Sequence, residues 1–153
     1  MITATPSVHL DNLIKLKPNL VIFHAEANED LLPIFAKLHE AGIKVGVAII
    51  KSVYPGNIKN ILNEADYALI FSGTLGQYGG KAEPLLMEKA ALIREIKPSI
   101  EIGWDGGANE ENTHLITHAG VDVINVGSAI AKAPDSAAAF NKLNKLTEKE
   151  EVV

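Results

Sequence analysis

Asp105 stands at the end of an apolar run and directly before two glycines, in IEIGWDGGANEEN at 100–112. An α/β protein presents a working carboxylate to a bound phosphate compound at such a place, because the loops after its strands are free to vary while the sheet stays rigid. Four further strand ends are HAEA at 24–27, KSVYPG at 51–56, SGTLGQYGG at 72–80 and GSA at 127–129. Gly106 with Gly107, and Gly127 with Ser128, leave bare backbone N–H groups at helix starts and together read as a phosphate cup. A glycine after a strand is ordinarily a turn residue. Two such pairs on the last two strands are a more specific signal. Glu26 lies two residues after His24, so on an extended strand both side chains point to one face.

Each of these residues has a plainer reading beside the chemical one. Asp105 also suits the cap of a helix starting in GGANEEN, and His24 also suits a strand end, bonded to backbone. His9, His39, His114 and His118 fall on predicted helices and are expected at the surface. Trp104 precedes Asp105 and so points to the opposite face, into the helix layer. Asp66 and Asp122 lie beside strand starts, far from the strand C-termini, and are expected to be solvated or capping. The acidic run at 109–112 is expected to open a helix, where it suits the positive end of the dipole.

The elements that must position these residues are legible. LVIF at 20–23, KVGVAII at 44–50, YALIF at 67–71, IEIGW at 100–104 and VDVINV at 121–126 read as five buried strands. Helical spacing lies between them, at Leu31, Phe35 and Leu38, at Leu86, Ala90 and Ile93, and at Leu115 and Ala119. Glycine after alanine stops two of these helices, in HEAGIKVGVAI and THAGVDVINVGSAI, two stretches similar enough to be a repeated helix-then-strand unit. Pro33 sits past the first turn of a helix capped at Asn28, so that helix begins near Asp30 or carries a distorted start. The alternation predicts one α/β domain over residues 1–146 with a parallel sheet, followed by a frayed charged tail over 147–153.

Composition narrows the classes. A chain of 153 residues, 47% hydrophobic and 22% charged, can bury a core as one domain. It has no cysteine, which removes disulfides, thiolate metal sites and thiol nucleophiles and suits a reducing compartment. The formal charge is −5, with basic residues scattered, so nucleic acid is not an expected partner. No leader-like N-terminus and no membrane-length apolar segment stand in the sequence, and a cytoplasmic location with no membrane partner is expected.

In order, spacing and strand-end residues, NLVIFHAEA, AGIKVGVAI, ALIFSGTLGQYGGK, IEIGWDGGANEEN and AGVDVINVGSAI together resemble the ribulose-phosphate 3-epimerase family over about residues 1–140. The resemblance implies a fold and a site. The fold is a (β/α) barrel of eight strands, of which this chain holds about five parallel ones, beginning near the end of the third strand at MITATP. Asp105 inherits the roles of general acid/base and metal ligand, and His24 that of a metal ligand. Gly76 and Gly79 match the loop that closes over substrate, while Gly106, Gly107, Gly127 and Ser128 match the phosphate-binding backbone. Phe71 stands where the family usually has methionine, Leu75 replaces the loop proline, and Gln77 with Tyr78 replace a Phe-Gly pair.

The implied reaction is epimerisation at C3 of a pentulose 5-phosphate, assisted by a divalent metal (zinc, iron or manganese). A proton leaves one face of the carbon and returns to the other, which one carboxylate does not easily serve. In the family the opposing aspartate and a second histidine ligand sit on the second strand, which this chain lacks. Acid pair and metal site are both left incomplete. Five strands of a cut barrel also expose two edges and an apolar inner face. A homodimer, a flattened sheet with helices on both faces, or a partner chain carrying the first strands would cover them, and the chain is equally consistent with a fragment of a longer protein. Three functions follow: an epimerase or its C-terminal part, a non-catalytic module binding a pentulose phosphate or phosphate and sulfate, and a self-associating half-barrel.

Overall fold

Runs of β-branched and aliphatic residues form the five strands, and the computed structural model describes residues 1–76 and 80–148 of the chain. The strands are β1 (Leu20–His24), β2 (Lys44–Ile49), β3 (Tyr67–Phe71), β4 (Glu101–Asp105) and β5 (Val123–Asn125). All pair in parallel in the order β1-β2-β3-β4-β5. Sequential neighbours with a helical connection between each pair form an open arc of a TIM-type barrel. The observed strands fall within a residue of the expected ones except β5. It holds three residues, at the edge of the sheet beside β4.

The connections include α1 (Leu10–Leu16), α2 (Leu32–Glu40), α3 (Lys59–Glu64), α4 (Glu88–Ile96), α5 (Thr113–His118), α6 (Ser128–Ala131) and α7 (Ser136–Thr147). Alternation along the strands sends Val21, Phe23, Val45, Val47, Ile49, Ile70, Ile102 and Trp104 to one side, where Phe35, Leu38, Leu62, Ile93 and Ile116 of the helices meet them in one core. Trp104 is fully buried there, and its indole N–H donates to the Gly106 carbonyl at 2.9 Å. The opposite face of the sheet carries a second, smaller cluster of Ala48, Tyr67 and Leu69 with Leu20, Ile22 and Val123, all strand residues. Helices thus cover one side of the arc and the inner side faces outward. Tyr67 partly fills that hollow: a Cβ on Gly103 would lie 1.9 Å from its hydroxyl oxygen, so the ring spans the neighbouring strand. Burial, with the charges of Glu101, Asp105 and Asp122, pushes the Tyr67 hydroxyl up to about 12 and keeps it neutral.

The helix boundaries answer to local chemistry. α2 starts at Leu32 with Pro33 in its first turn, where proline costs nothing, and the Asp30 carboxylate accepts the Leu32 N–H at 3.0 Å. α5 departs from the expected phase: Leu115 is half exposed, while Thr113, Ile116 and Thr117 face inward. The two threonine hydroxyls donate to carbonyls four residues back, which lets polar side chains take the buried positions. Residues 109–112 form a turn before α5 and do not begin the helix, with the Asn112 side chain accepting the Asn109 N–H at 2.9 Å. α7 extends to Thr147 with Leu143 buried. No helix among the described residues is long and apolar enough to cross a membrane.

Asp66 and Asp122, far from the strand C-termini, are part-exposed to water as expected, and each also takes part in a latch between strands. Asp66 accepts the Val45 N–H at 2.9 Å and the His39 ring at 2.8 Å; Asp122 accepts the Ile102 N–H at 2.8 Å and the Arg94 guanidinium at 2.7 Å. Each aspartate precedes one strand and clasps the start of the previous one, so the repeated helix-then-strand unit carries its own latch. Burial alone would raise the Asp66 carboxyl, but the Val45 N–H, the His39 hydrogen bond and charge, and Lys97 outweigh it and hold it below the usual range.

At the other end of the strands, Lys89 of α4 is buried and donates to the carbonyls of Ile50, Lys51 and Val53 at 2.6, 3.1 and 2.6 Å. Burial draws its pKa down, yet three acceptors match the three ammonium protons and keep it charged. It fixes the loop after β2. Lys89→Met is therefore expected to destabilise the chain by about 1–3 kcal/mol, the cost of unsatisfied buried acceptors. Urea denaturation checks this, and an unchanged midpoint would show that water replaces the ammonium.

Candidate active site

The last two strands end side by side, with Asp105 and Asn125 as register partners. A cleft of about 230 Å³ opens above them, lined by Phe71, Gly73, Gly80, Asp105, Gly106, Gly107, Ala108, Asn125, Gly127 and Ser128. Five residues expected at a site thus meet in one place: Asp105, Gly106, Gly107, Gly127 and Ser128.

The backbone at Gly106 and Gly107 has positive φ, +116° and +68°, which glycine alone adopts freely. Their carbonyls are taken, by the Trp104 indole and by the amides of Asn109 and Asn112 at 3.3 and 3.0 Å. The N–H groups of Gly107, Gly127 and Ser128 donate to no protein acceptor among the described residues. A Cβ on Gly107 would lie 2.1 Å from the Ala82 nitrogen, so the loop after β3 packs directly on this turn. Ser72 holds that loop, donating to the Lys81 carbonyl at 3.2 Å and accepting the Glu83 N–H at 2.8 Å. At Gly127 a Cβ would meet nothing within 4 Å. Its bare backbone borders open space.

Among the described residues Asp105 is the single ionisable side chain lining the cleft. Burial pushes its carboxyl up from the usual carboxylate range, the direction that favours a general base or acid near neutral pH. The chain can therefore offer a proton acceptor beside a set of free backbone donors.

The remaining expected residues lie elsewhere. His24 is buried at the end of β1, its ring 2.9 Å from the Glu26 carboxylate and edge-on to Phe71 with centroids 6.1 Å apart. β2 and β3 separate it from Asp105, and Phe71, the register partner of Asp105, stands between them. Among the described residues no group of three His, Cys, Asp or Glu side chains could hold a metal ion. His24 and Asp105 do not form a divalent-metal site by themselves. Gly76 takes φ +78° in the loop after β3 but does not line the cleft. Gly79, with Gln77 and Tyr78 of the expected closing loop, lies outside the described residues. Gly73 and Gly80 come from the strand end at 72–80 and Phe71 from the position where the family usually has methionine, while Asn125 was not anticipated as a lining residue. Strand alternation carried the signal for Asn125, which shares its face with Val123 in VDVINV.

Comparison with known proteins agrees with this architecture. The profile of the ribulose-phosphate 3 epimerase family matches residues 1–131. The ribulose-phosphate 3-epimerase of Aquifex aeolicus is 31% identical over 145 residues, covering 92% of this chain and 65% of that protein. That of Helicobacter pylori (strain 26695) is 30% identical over 135 residues, covering 86% and 62%. The chain thus spans somewhat under two thirds of the length of these relatives. Among solved structures, a 3-hexulose-6-phosphate synthase superposes with a TM-score of 0.74 at 19% identity, covering 95% of this chain and 70% of that one. The Salmonella typhimurium 3-hexulose-6-phosphate synthase gives 0.70 at 22% identity, covering 92% and 66%. At such identities the likeness concerns the fold alone.

Proposed function

The chain belongs to the ribulose-phosphate 3-epimerase family, and on that premise we propose that it binds a pentulose 5-phosphate in the cleft above β4 and β5. The phosphate lies against the free N–H groups of Gly107, Gly127 and Ser128, and Asp105 exchanges the proton at C3. The observation that carries this reading is the convergence of two strand-end glycine pairs and one carboxylate of raised pKa on a single cleft.

The cleft supplies one acid/base group, which serves one face of the carbon. Inversion at C3 needs a second acid on the opposite face, and the reading assigns that acid to a surface outside this chain, either a second copy or a chain carrying the first strands. The exposed inner face, with Leu20, Ile22 and Val123 part-buried around Tyr67, supports such a complement. The divalent metal implied by the family has two candidate ligands set apart on β1 and β4, His24 and Asp105, so the same complement would have to bring further ligands. Gly76 and Gly79 belong, in this reading, to a loop that closes over bound substrate.

Isothermal titration with ribulose 5-phosphate tests the proposal. Saturable binding displaced by inorganic phosphate is expected; no heat and no displacement would overturn it and leave a self-associating half-barrel as the better description.

A further inference from the structure

The cleft has polar side chains at three of its lining positions, Asp105, Asn125 and Ser128, and Asn125 has no role so far. β5 places it directly beside Asp105 in the parallel register, with neighbouring strands about 4.8 Å apart. By alternation both side chains project from the inner face, toward the sugar and away from the helix layer. Asn125 also lines the adjoining cavity of about 500 Å³ next to β5, so it stands on the wall between the two spaces. Its side chain makes no hydrogen bond to the protein among the described residues, and neither does the Asp105 carboxylate. An exposed amide with no protein partner contributes nothing to folding that requires asparagine here.

Its chemistry fits a specific need. When Asp105 removes a proton from the carbon beside a ketone, negative charge grows on the ketone oxygen, and a positioned donor must meet it. Ser128 lies with the glycine pairs at the phosphate end. The amide of Asn125 offers two donors and one acceptor, and being neutral it leaves the raised pKa of its neighbour in place, which an ammonium or guanidinium would pull down. Resting on the reading above, we infer that Asn125 is the residue that recognises the ketone and adjacent hydroxyl of a 2-ketose phosphate, and so distinguishes the sugar ester from inorganic phosphate.

Titrations of the full chain and of Asn125→Ala and Asn125→Asp with ribulose 5-phosphate and with inorganic phosphate test this. Asn125→Ala is expected to weaken ribulose 5-phosphate about tenfold, the scale of one hydrogen bond, while phosphate affinity changes less than about twofold. Asn125→Asp is expected to weaken the sugar phosphate further, because a second carboxylate beside Asp105 repels the ligand's charge. Unchanged sugar-phosphate affinity in the alanine variant overturns the inference, as does an equal loss for both ligands, which would make Asn125 part of the phosphate cup. An unmodified chain that binds phosphate with no preference for the ketose ester also refutes it and leaves the phosphate cleft standing. Failure of the unmodified chain to bind either ligand refutes the cleft itself, and this inference with it.

Discussion

Gly107→Ala is expected to destabilise the chain by about 2–5 kcal/mol, combining about 1–2 kcal/mol for a left-handed non-glycine residue with about 1–3 kcal/mol for overpacking. The added methyl carbon would lie 2.1 Å from the Ala82 nitrogen and 2.4 Å from the Lys81 carbonyl carbon, and backbone cannot turn aside as a side chain can. Against a total stability of about 5–15 kcal/mol, this is a large fraction, seen as a fall in Tm of roughly 10 °C for a domain of this size. Gly127→Ala provides the contrast. Its φ is −102° and a Cβ there meets nothing within 4 Å, so stability should hold within about 0.5 kcal/mol. The methyl would nevertheless stand beside the N–H groups proposed for phosphate, and phosphate affinity should drop. Denaturation and phosphate titration of the two variants separate a turn glycine from a ligand-facing one. If Gly127→Ala binds phosphate like the unmodified chain, Gly127 is only a turn.

That contrast also marks how far the sequence could be read. Strand placement was legible because a parallel sheet covered by helices demands continuous β-branched runs, and VIF, VGVAI and ALIF satisfy that demand without competing signals. The cleft was legible through DGG and GSA because strand ends collect function whatever lies between them. α5 was misread at Leu115 because threonines that bond their own backbone can occupy inward positions that hydrophobic spacing reserves for aliphatics. The latching bonds of Asp66 and Asp122 were not legible because their partners, Val45 and Ile102, sit some twenty residues earlier on the neighbouring strand, and only the register brings them together. Asn125 escaped for a related reason. On β5 alone it is a polar residue in an apolar strand, and its meaning comes from standing beside Asp105.

If Asp105 exchanges the C3 proton as proposed, Asp105→Asn is expected to remove a proton-transfer activity that needs no inversion of the substrate. A lone carboxylate can take the C3 proton of ribulose 5-phosphate, leaving the electron pair in the ene-diolate, exchange that proton with solvent, and return a solvent hydron to the same face. In deuterium oxide the chain should wash label into C3 with retention, and the C3 epimer should accumulate far more slowly. General acid/base groups contribute about 10²–10⁴-fold, and Asp105→Asn should lose exchange by that factor. Mass spectrometry of the recovered ester reads the label. The same substitution should raise stability at neutral pH, because it removes a carboxylate that burial disfavours. The sign follows from burial: a carboxyl whose folded pKa is raised favours folding below its unfolded value, near 3.9, and this contribution is lost as pH rises through the folded value. Denaturation at pH 7 should therefore favour the asparagine variant, and the advantage should vanish near pH 3. Equal exchange in both proteins would remove Asp105 from the chemistry, while epimer formed as fast as label enters would require a second acid supplied by this chain or by a second copy of it.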